Sequence, residues 1–313
     1  MPQTHNKPAV AVFGLSHWGK HFIRILQKLR VPTVGVDPDP RKIEALRNEF
    51  PLVTYHSSPV HAMKDPTIYA VIIATPTSTH YKVAKTALSS GKHVFVEKPM
   101  TQNTGEAKKL LSLARKKDRT LMVDHTYVYS PALNTAKRLI KKGMIGTVRT
   151  ISSVRVGPGI IRPDSTVLWD LAPHDISICW FLLGAYPLSS RILTKDRVSE
   201  PDGHTRTLEL TYPGNVRATV KVSWVAPKKV RRLTIRGTKG TLTISWKNAE
   251  ELLTITSRTK QKVPTPKREP LEMAIRHFLS RIHSGILPLT DAEHGIRVIG
   301  IISELSEGIP LTG

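Results

Sequence analysis

The chain opens on five consecutive apolar residues, Ala9-Val10-Ala11-Val12-Phe13, followed by a polar turn and an apolar stripe at Phe22, Ile25, Leu26 and Leu29. A solid apolar run ending at a glycine predicts a buried strand, and apolar positions three and four apart predict a helix with one face on a core. The alternation then repeats. Strands are expected at 33–36, 53–55, 69–74, 93–96 and 120–124, with helices at 40–50, 79–88 and 104–116 between them. Strands that alternate with helices in this way predict a parallel, doubly wound sheet.

After Asp124 the pattern changes. One helix at 130–142, closed by Gly143, precedes β-branched segments at 147–156, 191–198, 205–212, 216–224, 230–236 and 241–246. Turn signals such as Gly237-Thr238-Lys239-Gly240 join neighbouring segments, so this second sheet is expected to be mostly antiparallel. An apolar helix running from Trp169 to a Gly184 cap interrupts the strands, and helices at 269–282 and 291–305 finish the chain. The fold class expected is α/β, with a doubly wound parallel sheet over 1–124 and an α+β domain with a large open sheet over 125–313.

Composition narrows the class of protein. At 313 residues the chain is long enough for two ordinary cores, and 40% hydrophobic with 23% charged residues is the balance of a soluble globular protein. No apolar run reaches the length of a membrane span, and the segment 9–15 is too short for a signal peptide, so a cytoplasmic location is expected. Cys179 is the only cysteine, which excludes an intramolecular disulfide and a cysteine-based zinc site; no metal is expected. The 47 Lys+Arg against 24 Asp+Glu give a net charge of +23, a field that attracts anions of any size. Nucleic acid, an acidic surface and phosphorylated small molecules are the partner classes it admits. The densest basic cluster, Lys228, Lys229, Arg231 and Arg232, comes with neither zinc-finger spacing nor an aromatic RNA-binding strand, which disfavours nucleic acid.

Candidate chemistry sits at the predicted strand ends. Gly14-Leu15-Ser16-His17-Trp18-Gly19 joins the first strand to its helix, and Asp37 ends the next strand 23 positions after Gly14. A dinucleotide fingerprint needs glycines for the tight turn, for close approach of the pyrophosphate and for helix packing, with an acid on the ribose. Here Ser16 replaces the second glycine, although serine is small and its hydroxyl can itself hydrogen-bond a phosphate. Asp37 favours NAD over NADP because a carboxylate repels a 2′-phosphate, while Arg41 nearby weighs the other way. The run Thr75-Pro76-Thr77-Ser78-Thr79-His80 lies between a strand end and a helix start, where Ser78 or Thr79 caps the helix or the run meets a ligand.

The strand at His93 runs straight into Glu97, Lys98 and Pro99, at the sheet edge where open α/β proteins bind ligands. Farther on, Asp170 and His174 are four apart and share a helix face. An aspartate placed there orients a histidine and raises its basicity, which suits a general base, unless the two merely satisfy each other.

Taken together, 14–19, Asp37, Thr75 to His80, Gly91 to Pro99 and Asp170-x-x-x-His174 resemble the Gfo/Idh/MocA family of NAD(P)-dependent oxidoreductases, over nearly the whole chain. The resemblance implies a Rossmann NAD-binding domain with Gly14, Ser16, His17, Trp18, Gly19, Asp37, Thr75, Pro76, Thr77, His80, Glu97 and Lys98 at the cofactor. It also implies a second domain for substrate and oligomerisation. The resemblance further implies that hydride passes between a carbinol carbon and nicotinamide, with His174 as base, Asp170 as its orienter and Lys98 stabilising the alkoxide.

The segments 125–131, 167–175 and 223–231 look like members acting on nucleotide-linked sugars of the UDP-N-acetylhexosamine type. By the same resemblance His125, Tyr127, Arg155 and Arg162 join Lys98, Asp170 and His174 at the substrate, the Lys98-Pro99 peptide is often cis, and a homodimer or homotetramer is expected, with no membrane partner. The alternatives are a dehydrogenase of inositol or another free polyol, a non-catalytic nucleotide-binding protein, and a nucleic-acid-associated protein explained by the charge.

Overall fold

The computed structural model describes residues 8–159, 161, 165–194, 204–247, 250–257 and 259–306. The chain forms two compact units, the first reaching Asp124 and also taking in Leu271–Ile299. The division expected at 124 is therefore crossed again when the C-terminal helices return to the first unit.

The first unit is built from β1 (Ala9–Phe13), α1 (His17–Lys28), β2 (Thr33–Val36), α2 (Pro40–Arg47), β3 (Thr54–His56), α3 (Pro59–Lys64), β4 (Ile68–Ile73), α4 (Thr77–Ser89), β5 (His93–Glu97), α5 (Thr104–Lys116) and β6 (Leu121–Asp124). Its six strands are all parallel, in the order β3-β2-β1-β4-β5-β6. Strands covered by helices on both faces need apolar residues at every position, and β1 is buried along its whole length. Local caps start the helices: Asp39 accepts from the Arg41 N–H, Ser58 from His61 and Asn103 from Glu106. The six-residue α3 is too short to show a hydrophobic period and was not expected.

In the second unit a 3₁₀ turn (Thr126–Tyr129) leads into α6 (Pro131–Lys141), β7 (Val148–Pro158), α7 (Val167–Leu183), β8 (Ser189–Thr194), β9 (Thr205–Tyr212), β10 (Val216–Ser223), β11 (Val225–Gly237), β12 (Thr241–Lys247), β13 (Glu250–Thr256) and β14 (Lys260–Val263). The eight strands run in the order β14-β13-β12-β11-β7-β10-β9-β8 and are antiparallel except where β10 pairs β7. Helices α6 and α7 cover one face. That face is apolar, with Leu208, Ala218, Val220, Leu233, Ile235, Leu242 and Ile244 fully buried. Charged residues in 250–263 hid β13 and β14 from the hydrophobic pattern. Of the strand expected at 191–198, residues 195–198 lie outside the described residues.

The last two helices are α8 (Pro270–Ser284) and α9 (Ala292–Ser306). Phe278 on α8 meets Phe95 of β5 with ring centroids 5.4 Å apart, and Phe95 in turn meets Phe22 of α1 at 5.6 Å. An aromatic row thus ties the returning helix to the parallel sheet.

Candidate functional site

In the first unit the candidate residues gather at the C-terminal edge of the parallel sheet. Gly14 has φ +88°, and a Cβ there would stand 2.6 Å from the Ala74 carbonyl oxygen; a Cβ on Gly19 would stand 1.8 Å from the Gly14 oxygen. Only glycine fits either position. Ser16 is different, because at φ −75° and ψ −159° it holds an ordinary extended conformation, exposed at the start of α1 with its hydroxyl not used as a cap. The backbone therefore does not require glycine there. Neither an acid nor a capping side chain occupies the first turn of α1, so the backbone N–H groups of that turn suit an anion. His17 and Trp18 are exposed in the same turn, their rings 5.6 Å apart.

Asp37 is buried, and its carboxylate accepts from the Leu15 N–H at 2.9 Å, the Asp39 N–H at 2.9 Å and the Lys42 ammonium at 3.4 Å. Oδ2 is doubly engaged while Oδ1 keeps acceptor capacity. Arg41 is held by Asp39 through two 3.0 Å bonds, from Nε and Nη2. These geometries fit a dinucleotide: a turn only glycine can make, an open helix start, and a carboxylate at the end of β2.

The loop after β4 is held by His80. Helix α4 starts at Thr77 without a side-chain cap, and Thr79 donates instead to the Pro76 carbonyl at 2.7 Å. His80, almost fully buried, has Nδ1 2.9 Å from the Pro99 oxygen and Nε2 2.9 Å from the Thr75 oxygen. Its ring thus braces the β4 loop against the turn that follows Lys98, where the Lys98-Pro99 peptide is cis. Burial pulls its pKa below the usual value and the two carbonyls oppose that pull. Because a buried acceptor stripped of its partner costs roughly 1–3 kcal/mol, His80→Leu is expected to lower unfolding free energy by about that much or more. Urea denaturation checks this, and an unchanged midpoint would remove the brace from the account.

Glu97 ends β5 directly beside Asp124 at the end of β6, and both carboxyls are buried. The Lys98 N–H donates to Glu97 Oε2 at 3.2 Å. Burial first, and the adjoining Asp124 carboxyl second, raise the Glu97 pKa well above its ordinary 4.5. An acid with a raised folded pKa holds its proton while the unfolded chain loses it, so stability falls as pH rises above the ordinary value. Glu97→Gln, which cannot ionise, should therefore raise Tm at about pH 8 by about 2–4 °C for each 1 kcal/mol of relief, with the gain vanishing near pH 4. Thermal unfolding at the two pH values decides; an equal shift at both would show that the gain is not electrostatic.

In the second unit α7 presents Asp170 and His174 on one half-buried face. Thr166 starts this helix by accepting from the Trp169 N–H, and Gly184 at φ +69° ends it. Trp224 donates its indole N–H to Asp170 Oδ2 at 3.0 Å, which fixes the carboxylate. The Tyr127 ring lies edge-on to His174 with centroids 5.0 Å apart and edge-on to Trp246 at 5.6 Å, and its hydroxyl accepts from Arg231 Nη1 at 3.0 Å.

Arg155 lies behind Tyr127. Its guanidinium sits 4.2 Å from the Tyr127 ring centroid and donates to Asp175 from Nε at 2.8 Å and Nη2 at 3.1 Å, while Ser153 donates to the same carboxylate at 2.7 Å. Both charges are buried. Arg155 is thus committed to internal partners, whereas the family resemblance places it at the substrate. His125 is also buried, and Arg162 lies outside the described residues. Sequence reasoning missed Trp224, Trp246 and Asp175 as site residues; Trp224 and Asp175 lie within the segments that look like members acting on nucleotide-linked sugars.

A parallel sheet with a glycine turn and terminal acid in the first unit, and a helix carrying Asp170 and His174 in the second, are the parts of a nicotinamide-dependent oxidoreductase. Residues 9–125 match the model of an oxidoreductase family with an NAD-binding Rossmann fold, and 133–243 match the Gfo/Idh/MocA C-terminal domain. The chain belongs to the Gfo/Idh/MocA family. It is similar to the uncharacterised oxidoreductase YdgJ of Escherichia coli, 32% identical over 215 residues that span 64% of this chain and 60% of that protein. It is 28% identical to the UDP-N-acetylglucosamine 3-dehydrogenase of Acidithiobacillus ferrooxidans over 74% of this chain and 75% of that one. The solved structure of the UDP-N-acetylglucosamine 3-dehydrogenase GnnA of that organism superposes with a TM-score of 0.85 at 24% identity, covering 98% of this chain and 99% of that one. The scyllo-inositol 2-dehydrogenase (NAD(+)) of Bacillus subtilis is 26% identical over 96% of this chain and 95% of that one.

Proposed function

We propose that the protein is an NAD-dependent dehydrogenase of a CH–OH group on a nucleotide-linked sugar of the UDP-N-acetylhexosamine type. The observation that carries the reading is the fixed pair on α7: a histidine edge-on to Tyr127 and, four residues before it, a carboxylate held by Trp224. When bound, the nicotinamide supplies the hydride acceptor. His174 takes the proton from the substrate hydroxyl, and Asp170 accepts a hydrogen bond that orients ring or hydroxyl. Lys98, at the end of β5, places positive charge where the alkoxide develops. Gly14, Ser16, His17, Trp18 and Gly19 hold the pyrophosphate, Asp37 the ribose, and Thr75, Pro76, Thr77 and Glu97 line the nicotinamide end, with His80 as the brace behind them. Because Asp37 keeps a free acceptor position and Arg41 is held by Asp39, NAD is favoured over NADP. Arg231 takes the anion-facing role expected of Arg155, and Tyr127 and His125 shape the sugar end.

Denaturing the purified protein to release bound nicotinamide, then titrating the stripped protein with NAD and NADP, tests the cofactor. NAD should bind at least about tenfold more tightly. Screening UDP-N-acetylglucosamine against scyllo-inositol for nicotinamide reduction tests the substrate. Turnover of the inositol alone would replace the nucleotide sugar by a free polyol, and absence of any nicotinamide binding would sink the dehydrogenase itself.

A further inference from the structure

In the second unit the helix-covered face of the sheet changes character one layer beyond its aliphatic core. Leu233 of β11 lies level with Ile244 of β12, and Ile244 with Leu253 of β13, all three fully buried. Two positions farther along these strands, and so on the same face, stand Arg231, Trp246 and Glu251, with Arg155 of β7 opposite Arg231. Tyr127 packs on this row. Its ring meets the Arg155 guanidinium at 4.2 Å and Trp246 at 5.6 Å, its hydroxyl accepts from Arg231, and its other ring neighbour is His174 at 5.0 Å. Trp246 has a brace of its own: the indole N–H donates to Glu251 Oε1 at 3.0 Å, while Oε2 accepts the Ala132 N–H of α6 at 3.0 Å. With its N–H committed, the indole offers a ligand only carbon surface. Tyr127, His174, Arg231 and Trp246 are each half-buried, in contrast to the closed layer beneath them.

We infer, on the nucleotide-sugar reading above, that Trp246 and Tyr127 form a platform for the apolar carbon–hydrogen face of the substrate's sugar ring, with Trp246 a specificity-determining residue. Aromatic carbon surface gains by covering C–H groups and loses by covering hydroxyls, which would forfeit their hydrogen bonds to water. A pyranose carries both kinds of surface, so such a platform selects how the ring lies. The candidate base is one ring spacing from Tyr127, and Trp246 is one ring spacing beyond it, a span that suits a single sugar ring and not a whole nucleotide. Arg231, in the same row, brings the charge that a diphosphate on that sugar calls for. Because Glu251 ties the indole to the start of α6, the platform is ordered before the ligand arrives and little further ordering is needed on binding.

Calorimetric titration of the full chain with UDP-N-acetylglucosamine and with UDP alone, in the presence of NADH, tests this; with the cofactor reduced no hydride acceptor is present and the sugar is not consumed. Trp246→Leu, which keeps an apolar side chain at the position, should weaken the sugar nucleotide about 10- to 100-fold and leave UDP within about twofold. Trp246→Phe, which restores an aromatic face, should recover most of the loss. Glu251→Gln, which keeps the shape of the brace and removes its charge, should show a smaller loss with the same selectivity. Circular dichroism confirms that the variants fold. Equal losses for UDP and the sugar nucleotide, or unchanged affinity for the sugar nucleotide in Trp246→Leu, would overturn the platform and leave the dehydrogenase reading standing. A parent chain that binds neither UDP ligand would overturn the nucleotide-sugar reading and the platform with it.

Discussion

His174→Ala is expected to lose about 10²- to 10⁴-fold in turnover while binding NAD as the parent does. A positioned general base contributes an effect of that size, and His174 lies on α7 in the second unit, remote in sequence from the glycine turn and Asp37. Its ring is seated edge-on to Tyr127 rather than exposed at random, which is what a base of fixed geometry needs. Stopped-assay rates and NAD titration on the same preparation make the comparison. Turnover within about twofold of the parent would remove His174 from the mechanism, and a parallel loss of NAD binding would show that the substitution damaged the fold.

The other large effect concerns stability. Arg155→Ala is expected to cost about 3–5 kcal/mol of unfolding free energy, because it leaves Asp175 buried with Ser153 as its remaining hydrogen-bond donor among the described residues. A loss of that size is a large part of the marginal stability of an ordinary domain. Replacing both members, as in Arg155→Met with Asp175→Leu, removes the uncompensated charge and should recover much of the loss. Turnover should stay low in the double variant, since Tyr127 then loses the cation behind its ring and with it the support of His174. Urea unfolding and steady-state kinetics on the two variants give the answer. If Arg155→Ala instead raised KM with its unfolding midpoint unchanged, Arg155 would be a substrate contact, as the sequence had led us to expect.

Arg155 shows where reading along the chain stops. An arginine in a β-branched segment reads as a surface charge, and nothing within a few residues of it names Asp175 as its partner. The pair closes only when β7 and α7 pack, twenty positions apart, and burial then makes the fork-like bond to the carboxylate obligatory. Trp224 and Asp170 are joined across 54 positions, and Arg231 and Tyr127 across 104. Neighbours across the second sheet are less legible still, since β10 and β11 flank β7 out of chain order and only register brings Arg217 level with Arg236.

The sequence by itself determined the features that depend on near neighbours. Glycine at 14 and 19, the apolar run of β1, the acid at 37, the strand that delivers Lys98 and the four-residue spacing of Asp170 and His174 are each set by backbone sterics or helical and strand periodicity within a few residues. Tertiary structure alone decided that Ser16 needs no glycine conformation, that His80 braces Thr75 against Pro99, that Arg155 faces inward, and that the outer sheet face carries its cations in rows. The physical reason is common to all four. A side chain's chemistry is set by whether it is buried and by what it is buried against, and for these residues the answer comes from other elements of the fold.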